Sequence, residues 1–289
     1  MGDIIIMARN VLKPNSGKKT KQTRTKSPSP SRIKAGERNI ILTATCVLLG
    51  VMLWMHWTGC FNELKASNSS RFYIQNDQFG IKIPTLYPIQ GIDISLHQGK
   101  IDWKKLDGCL SNNPSIQFVF IKATEGKTRK DPYFLTNWEE AGKIGLIRGA
   151  YHYLLPNKSG KMQAELFLKT VELSDGDLLP VCDVEITGGA DAETIHQNVY
   201  EWLQTVESKI GKKPILYSSK RFYETYLAED FSAYTLWIAH YHVPELILPS
   251  GDKWTIWQHS DRGRLKGIKR PVDFNVFQGT PADLDQLRI

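Results

Sequence analysis

The chain has 289 residues, of which 41% are hydrophobic, and a formal net charge of +7 at pH 7. This length and apolar content suffice for one large folded domain with an appendage, which excludes a chain that is disordered throughout. The positive charge is confined to residues 1–39, which hold ten Lys and Arg and two acidic residues, so the rest of the chain carries −1. We therefore expect no nucleic-acid partner, because the body lacks the basic surface that such binding needs.

Residues 1–39 are rich in Lys, Ser, Thr and Pro and poor in aromatic residues. Such a composition cannot bury enough apolar surface to offset the entropy of folding, so we predict a disordered basic tail. Residues 40–58 then run for 19 positions without Asp, Glu, Lys or Arg, and Trp54 and Trp57 lie where interfacial anchors are found. The sequence predicts a single transmembrane anchor, with bounds taken as 40–59.

The basic tail also sets the predicted orientation. Positive residues before a span favour the cytoplasm, which predicts a single-pass protein of the cell membrane with a cytoplasmic amino terminus and a periplasmic or extracytoplasmic body. A cleaved signal peptide fits less well, because the apolar stretch is long and no small-residue cleavage site follows it. Lipidation of Cys60 stays an open alternative, although Trp57 stands where a small aliphatic residue is expected.

The four cysteines give no metal-binding pattern. Cys46 lies in the predicted span and Cys60 at its edge, while Cys109 and Cys182 fall in a predicted helix and strand without CxxC or His spacing. We predict no metal and no cofactor. A disulfide between Cys109 and Cys182 is one alternative, and two buried free thiols are the interpretation that we favour.

The body of the chain alternates between strand-like and helix-like segments. Residues 60–88 are polar, with prolines at 84 and 88, and are predicted as a linker. Short β-rich runs follow at 89–95, 118–124, 146–154, 179–186, 214–219, 235–241, 254–259 and 272–277. Helix-like segments separate several of them, at 136–145, 161–173, 191–210 and 220–230. This pattern predicts the α/β class, with a distorted or incomplete (β/α) TIM-like barrel over residues 89–289. Connections after residue 241 are too short for full helices, so the last strands are expected to be antiparallel.

One strand carries two carboxylates among apolar residues. Asp183 and Glu185 are two positions apart in LPVCDVEI, so in a strand they point to the same face with backbones about 6–7 Å apart. Cleavage of a glycosidic bond needs one protonated carboxyl to donate to the leaving oxygen and one ionised carboxyl to stabilise the positive sugar centre. The pair therefore makes this strand the candidate catalytic strand.

Polar and aromatic residues also gather at the ends of the other predicted strands. The candidate acids are Asp93 and Asp273, and the candidate sugar-binding residues are Tyr151, Tyr217, Trp237, Tyr241, Trp257 and Gln258. Acids with interspersed aromatic rings favour a sugar cleft, because rings stack on the apolar face of a pyranose and carboxylates bond its hydroxyls. Each residue also has a structural interpretation: Trp237 as core, Glu125 as a salt-bridge partner and His152 as a buried hydrogen-bonding residue.

Seven stretches occur in a characteristic order: GIDISLHQGKIDW, FVFIKATEGKTRKDPYF, NWEEAGKIGLIRGAYHY, LPVCDVE, PILYSS, LWIAHY and WTIWQHSDRGRLKGIKRPVDFNVF. Together they resemble glycoside hydrolase family 25, the Chalaropsis-type lysozymes, over residues 90 to about 280. The resemblance implies a distorted β/α barrel that hydrolyses the β-1,4 bond between N-acetylmuramic acid and N-acetylglucosamine. It implies Glu185 as the general acid, Asp183 as its partner, and Asp93 and Asp273 as further acids. His259, where many relatives have an aromatic residue, and the anchor with its basic tail are departures.

The sequence thus predicts a membrane-anchored muramidase, a monomer that acts on peptidoglycan glycan strands in wall remodelling or lysis. Glu185 is expected to be protonated near neutral pH and Asp183 ionised. One alternative is a non-catalytic peptidoglycan-binding barrel, which would not need a carboxyl held neutral. Another is a chitinase-like enzyme, whose sequence pattern has further aspartates in the part of the strand where Val181 and Cys182 stand. Retention or inversion stays open, because an N-acetyl substrate can supply its own nucleophile.

Overall fold

The computed structural model describes residues 47, 49–51 and 72–289. The chain separates into two compact units, Met1–Phe61 and Asn62–Ile289, and the second contains every strand named below. No helix within the described residues is long and apolar enough to cross a membrane. The predicted tail at 1–39 and nearly all of the predicted anchor at 40–59 lie outside those residues, so both stay predictions.

Eight strands close into a barrel. In chain order the strands are β1 (Tyr73–Asn76), β2 (Ile81–Pro84), β3 (Ile89–Ile94), β4 (Ile116–Glu125), β5 (Arg129–Lys130), β6 (Ile147–Tyr153), β7 (Val181–Asp183), β8 (Ile215–Ser219), β9 (Thr235–Ala239), β10 (Ile256–Gly263) and β11 (Val272–Phe277). The ring runs β3-β4-β6-β7-β8-β9-β10-β11, and β11 pairs back to β3. The predicted barrel is therefore closed rather than incomplete.

The distortion of the barrel comes from its last strand. β11 is antiparallel to both β10 and β3, whereas β9 and β10 are parallel. The prediction of antiparallel final strands is thus confirmed for β11 and wrong for the pair β9 and β10. The connection between those two strands, residues 240–255, is long enough to return the chain to the starting edge of the sheet without a helix.

Helices cover most of the outside of the barrel. They are α1 (Trp103–Leu110), α2 (Phe134–Lys143), α3 (Gly160–Thr170), α4 (Ala192–Ile210), α5 (Lys220–Tyr226), α6 (Ala228–Phe231) and α7 (Pro281–Asp285), with a 3-10 helix at Leu96–Gln98. The longest, α4, shows why the sequence pattern located it well. The Asp191 side chain accepts a hydrogen bond from the Thr194 amide at its start, and Gly211 adopts a left-handed φ of 75° at its end.

The core has two layers because side chains in a strand point alternately inward and outward. In β4, Phe118 and Phe120 fill the barrel interior, while Val119 and Ile121 face the surrounding helices. The neighbouring strand β6 passes the ring of Phe120 at Gly149, where a Cβ atom would overlap that ring. The absence of a side chain at Gly149 therefore leaves room for the Phe120 ring inside the barrel.

Residues 73–84, expected to lie in the linker 60–88, instead form the hairpin β1–β2. Phe79 is buried in its turn and packs on Phe274 of β11, with ring centroids 5.1 Å apart. The Tyr73 hydroxyl donates to the Val243 carbonyl at 2.5 Å. The linker prediction is wrong for this part, because the alternating apolar residues of β2 bury one face against the barrel.

Cys109 and Cys182 are both buried and free. Cys109 lies in α1, where the Gln78 amide is 3.3 Å from its sulfur, and Cys182 lies on the helix-facing side of β7. The two buried thiols are therefore confirmed, and the disulfide alternative is wrong.

Candidate active site

All four predicted acids line one cleft of about 290 Å³ at the carboxyl ends of the parallel strands. Asp93 lies on β3 and Asp183 ends β7, with Glu185 two residues further on. Asp273 lies on β11 directly opposite Asp93 in the strand register. The other lining residues are Ser95, His97, Gln98, Lys122, Tyr151, Tyr153, Tyr217, Trp237, Tyr241 and Gln258.

Gln258 connects the aromatic wall of the cleft to Asp93. Its Oε1 accepts hydrogen bonds from the hydroxyls of Tyr217 at 2.7 Å and Tyr241 at 2.6 Å. Its Nε2 donates to Asp93 Oδ2 at 2.8 Å, and Asn275 Nδ2 donates to the same oxygen at 2.8 Å. Because two hydroxyl donors fix the amide orientation, Gln258 presents an N–H to the carboxylate and stabilises its ionised form.

Asp93 and Asp273 titrate as a pair. Burial raises the pKa of Asp93 to about 6, although the hydrogen bonds from Asn275 and Gln258 oppose that rise. Burial and the neighbouring Asp93 raise the pKa of Asp273 to about 9. At neutral pH, Asp93 is therefore ionised, and Asp273 is neutral and hydrogen-bonded to it.

Asp183 and Glu185 form a second coupled pair. Asp183 is only 5% exposed, and its Oδ1 has no hydrogen-bond partner within the described residues. Burial, followed by the charge of Glu185, raises the pKa of Asp183 well above its usual range. Burial also raises the pKa of Glu185, but that carboxylate is less deeply buried and the Tyr217 hydroxyl lies 3.4 Å from its Oε2. Of the two carboxyls, Asp183 therefore keeps its proton to the higher pH, the reverse of the predicted order.

Lys122 is a cleft residue that the sequence analysis missed. Its ammonium group lies 2.7 Å from Glu125 Oε2 and 4.7 Å from the ring centroid of Tyr153, and it lowers the pKa of Asp183 and Glu185. Strand parity could have found it, because Lys122 has the same parity as the inward-facing Phe118 and Phe120. The salt-bridge interpretation of Glu125 is confirmed by its contacts with Lys122 and Arg129.

Further cleft residues that were not predicted are Tyr153, Ser95, His97 and Gln98. Tyr153 stands opposite Asp183 in the register between β6 and β7. It shares strand parity with the predicted Tyr151, so the same alternation would have placed both rings in the cleft.

Two predicted aromatic residues have different environments. Trp257 does not line the cleft: it is 1% exposed, packs on Trp254 and donates from Nε1 to the His240 carbonyl at 2.8 Å. Its neighbour Gln258 faces the cleft, and adjacent strand residues cannot share a face, so the sugar-binding prediction for Trp257 is wrong. Trp237 does line the cleft, but as a packed floor, stacked on Phe120 with centroids 4.5 Å apart.

His152 belongs to the outer core rather than to the cleft. It is fully buried, with ring nitrogens 2.7 Å from Thr124 Oγ1 and 3.2 Å from Gln163 Oε1. Burial lowers its pKa to about 3, so the ring is neutral. The buried hydrogen-bonding interpretation of His152 is confirmed.

The cleft agrees with comparisons to known proteins. The sequence profile described as Glycosyl hydrolases family 25 matches residues 92–268, more than half of the chain. The chain belongs to this family. It is therefore a glycoside hydrolase, as the resemblance predicted. The match includes Asp93, Asp183 and Glu185, and it ends before Asp273.

Similar proteins extend over the same region. Lysozyme M1 of Streptomyces globisporus is 32% identical over 210 residues, 68% of this chain and 70% of that protein. Uncharacterized protein YegX of Escherichia coli K12 is 49% identical over 208 residues, 71% of this chain and 75% of that one. A solved family 25 glycosyl hydrolase from Bacillus anthracis superposes with a TM-score of 0.65 at 32% identity, covering 72% of this chain and 96% of that one.

Proposed function

We propose that this family 25 enzyme is a muramidase that hydrolyses β-1,4 bonds between N-acetylmuramic acid and N-acetylglucosamine in peptidoglycan. The observation that carries the proposal is that two pairs of neighbouring carboxyl groups line one cleft, Asp183 with Glu185 and Asp93 with Asp273. Similarity to a protein named as a lysozyme, at 32% identity, supports the substrate class.

The coupled pair at β7 supplies the proton. A bound sugar that displaces water from Glu185 removes solvation from its ionised form, which raises its pKa further. The proton then moves from Asp183 to Glu185, and Glu185 donates it to the glycosidic oxygen as the bond to the sugar carbon breaks. Asp183 is left ionised beside the positive sugar centre and stabilises it. Water then adds to that carbon, and its proton passes to the Asp183–Glu185 pair, which restores the proton that was donated.

The pair at β3 and β11 holds the sugar and the water. Asp93 is ionised and receives two amide donors, so its free lone pairs accept hydrogen bonds from substrate hydroxyls or water. Asp273 is neutral at pH 7, which suits it to donate a hydrogen bond rather than to remove a proton from water. Tyr151, Tyr217 and Tyr241 complete the wall that contacts the glycan.

The predicted anchor gives this activity a location. An uncharged span at 40–58 after a basic tail would hold the barrel on the extracytoplasmic side, where peptidoglycan lies. Remodelling of the cell's own wall or lysis of another wall both fit a tethered enzyme.

Product analysis tests the proposal against its alternatives. The protein is incubated with purified peptidoglycan and, separately, with chitin, and new reducing ends are identified after borohydride reduction. We expect reduced muramic acid from peptidoglycan and little release from chitin. Efficient chitin cleavage would indicate the chitinase-like alternative, and binding to peptidoglycan without new reducing ends would indicate a non-catalytic barrel.

A further inference from the structure

A second cavity, of about 530 Å³, lies between the hairpin β1–β2, residues 242–244 and the end of β10. It differs from the catalytic cleft in charge. Two cationic residues, Lys82 and Arg262, line it, and none of its lining residues is acidic.

This basic pocket adjoins the catalytic cleft. Tyr241 lines the cleft and the next residue, His242, lines the pocket. On β10, Gln258 lines the cleft and the next residue, His259, lines the basic pocket. Asp261, on the same strand, is close enough to raise the pKa of Asp273. Because adjacent residues of a strand face opposite sides, the basic pocket lies on the outer side of β10, and a branch of a bound substrate would have to pass over the end of that strand to reach it.

The cations of the basic pocket are available to a ligand. Lys82 has no ion-pair or hydrogen-bond partner for its ammonium group in the described part of the chain. Arg262 approaches Asp261 only through Nε, at 3.6 Å, and its side chain is 72% exposed. Two cations facing one concave surface favour an anionic group, and the arginine fork suits a carboxylate.

Two histidines contribute to the wall of the basic pocket. Among the described residues, His242 is the non-glycine residue with a left-handed backbone, at φ 57°, and its Nε2 lies 3.0 Å from Asp261 Oδ1. Such a backbone is uncommon outside glycine and is often found at functional sites. His259 is 4% exposed, and its Nε2 has no hydrogen-bond partner within the described residues.

We propose that the basic pocket binds the carboxylates of the peptide attached to muramic acid, so that the enzyme recognises the stem as well as the glycan. This inference rests on the proposed muramidase function. The N-acetylated sugars of the glycan are uncharged, and the lactyl carboxyl is consumed in its amide bond to the peptide, so the stem supplies the anions. The hairpin that forms one wall of the pocket precedes the residues matched by the family profile, whereas the opposite wall lies within them.

The test compares two substrates, of which the second lacks the stem and carries the free lactyl carboxylate that removal of the stem leaves on each muramic acid. Purified peptidoglycan is used intact or after an amidase has removed its peptides, and kcat/KM is measured for the full chain and for a Lys82→Gln, Arg262→Gln double variant. We expect the full chain to prefer the intact substrate by about tenfold, since two charge-assisted contacts are lost without the stem. The double variant should lose that preference through a higher KM on intact peptidoglycan.

A matched control removes two exposed cations elsewhere. Lys161→Gln with Lys169→Gln, both on α3 and outside the pocket, should keep the stem preference. Equal cleavage of both substrates by the full chain, or an unchanged preference in the Lys82→Gln, Arg262→Gln variant, would overturn the inference while leaving the muramidase function intact. Failure to cleave either substrate would instead contradict the proposed function and this inference with it.

Discussion

At the scale of single residues, the candidate site depends on how each carboxyl is kept charged or neutral. Asp93 stays ionised near neutral pH because amide groups of Gln258 and Asn275 donate to it, despite deep burial. Asp273 and Asp183 are held neutral by burial beside another acid. The four acids could be predicted from the sequence, but Glu185 was predicted to be the protonated one. Burial depth at the end of β7, which a sequence does not show, makes Asp183 the more readily protonated of the two.

Gln258→Ala tests the hydrogen-bond network around Asp93. The change removes one donor to the Asp93 carboxylate, so the pKa of Asp93 should rise and the acidic limb of the pH–rate profile should move to higher pH. We expect activity at neutral pH to fall by about tenfold or more. Gln278→Ala, at an exposed position after β11, is the matched control and should leave the profile unchanged. An acidic limb that stays in place would separate Gln258 from the titration of Asp93.

Asp273→Asn tests the neutral state of Asp273. The pKa of about 9 in the fold exceeds the ordinary value of 3.8, so the stability contributed by this group is fully present below pH 3.8 and is lost as pH rises towards 9. The asparagine variant lacks this loss and keeps a donor to Asp93. We expect its melting temperature, relative to the wild type, to increase steadily between pH 4 and pH 9 while hydrolysis falls. A pH-independent difference in melting temperature would show that Asp273 has an ordinary pKa.

At the scale of elements, hydrophobic alternation predicted much of the barrel. All eight β-rich runs from residue 89 onwards overlap a barrel strand, and the segment predicted as 191–210 is α4. The alternation of side chains between the two faces of a strand was not applied to every residue. As a result, Trp257 was predicted to line the cleft, and Lys122 and Tyr153 were not. The hairpin was missed because two four-residue strands among polar residues give a weak signal, and their stability comes from packing on β11.

Phe79→Ala tests whether the hairpin is part of the folded domain. The ring is 1% exposed against Phe274, so its removal leaves a cavity and should lower the free energy of unfolding by roughly 3–5 kcal/mol. Phe72→Ala is the matched control, because Phe72 is 43% exposed, and it should cost less than about 0.5 kcal/mol. Both are measured by urea denaturation. Equal effects of the two changes would mean that the hairpin does not contribute to the stability of the barrel.

At the scale of the whole molecule, the predicted anchor would set where the protein acts, and the barrel carries the catalytic cleft. The tail carries the positive charge of the chain, while the remainder is close to neutral. The sequence could indicate the anchor by its uncharged length. It could not indicate the basic pocket, because Lys82 and Arg262 are 180 positions apart and meet only through the fold.

The predicted topology is tested with reporters placed between the anchor and the hairpin. Alkaline phosphatase fused after residue 65 should be active, since that enzyme needs the extracytoplasmic side, and green fluorescent protein at the same position should be dark. The paired control exchanges the basic residues of the tail for Gln, which should weaken this orientation. Strong fluorescence with the native tail would place the body in the cytoplasm and contradict the topology.

In the proposed mechanism, Glu185 delivers the proton that cleaves the glycan, and its substitution is the most direct test. Glu185→Gln keeps the shape of the side chain and its contact with Tyr217 but removes the transferable proton. Turnover of purified peptidoglycan should fall by about 10²–10⁴ while binding to the glycan and the melting temperature are retained. Glu172→Gln, an exposed carboxyl far from the cleft in sequence, should leave turnover unchanged. Near-normal release of reducing ends by a folded Glu185→Gln protein would contradict the account.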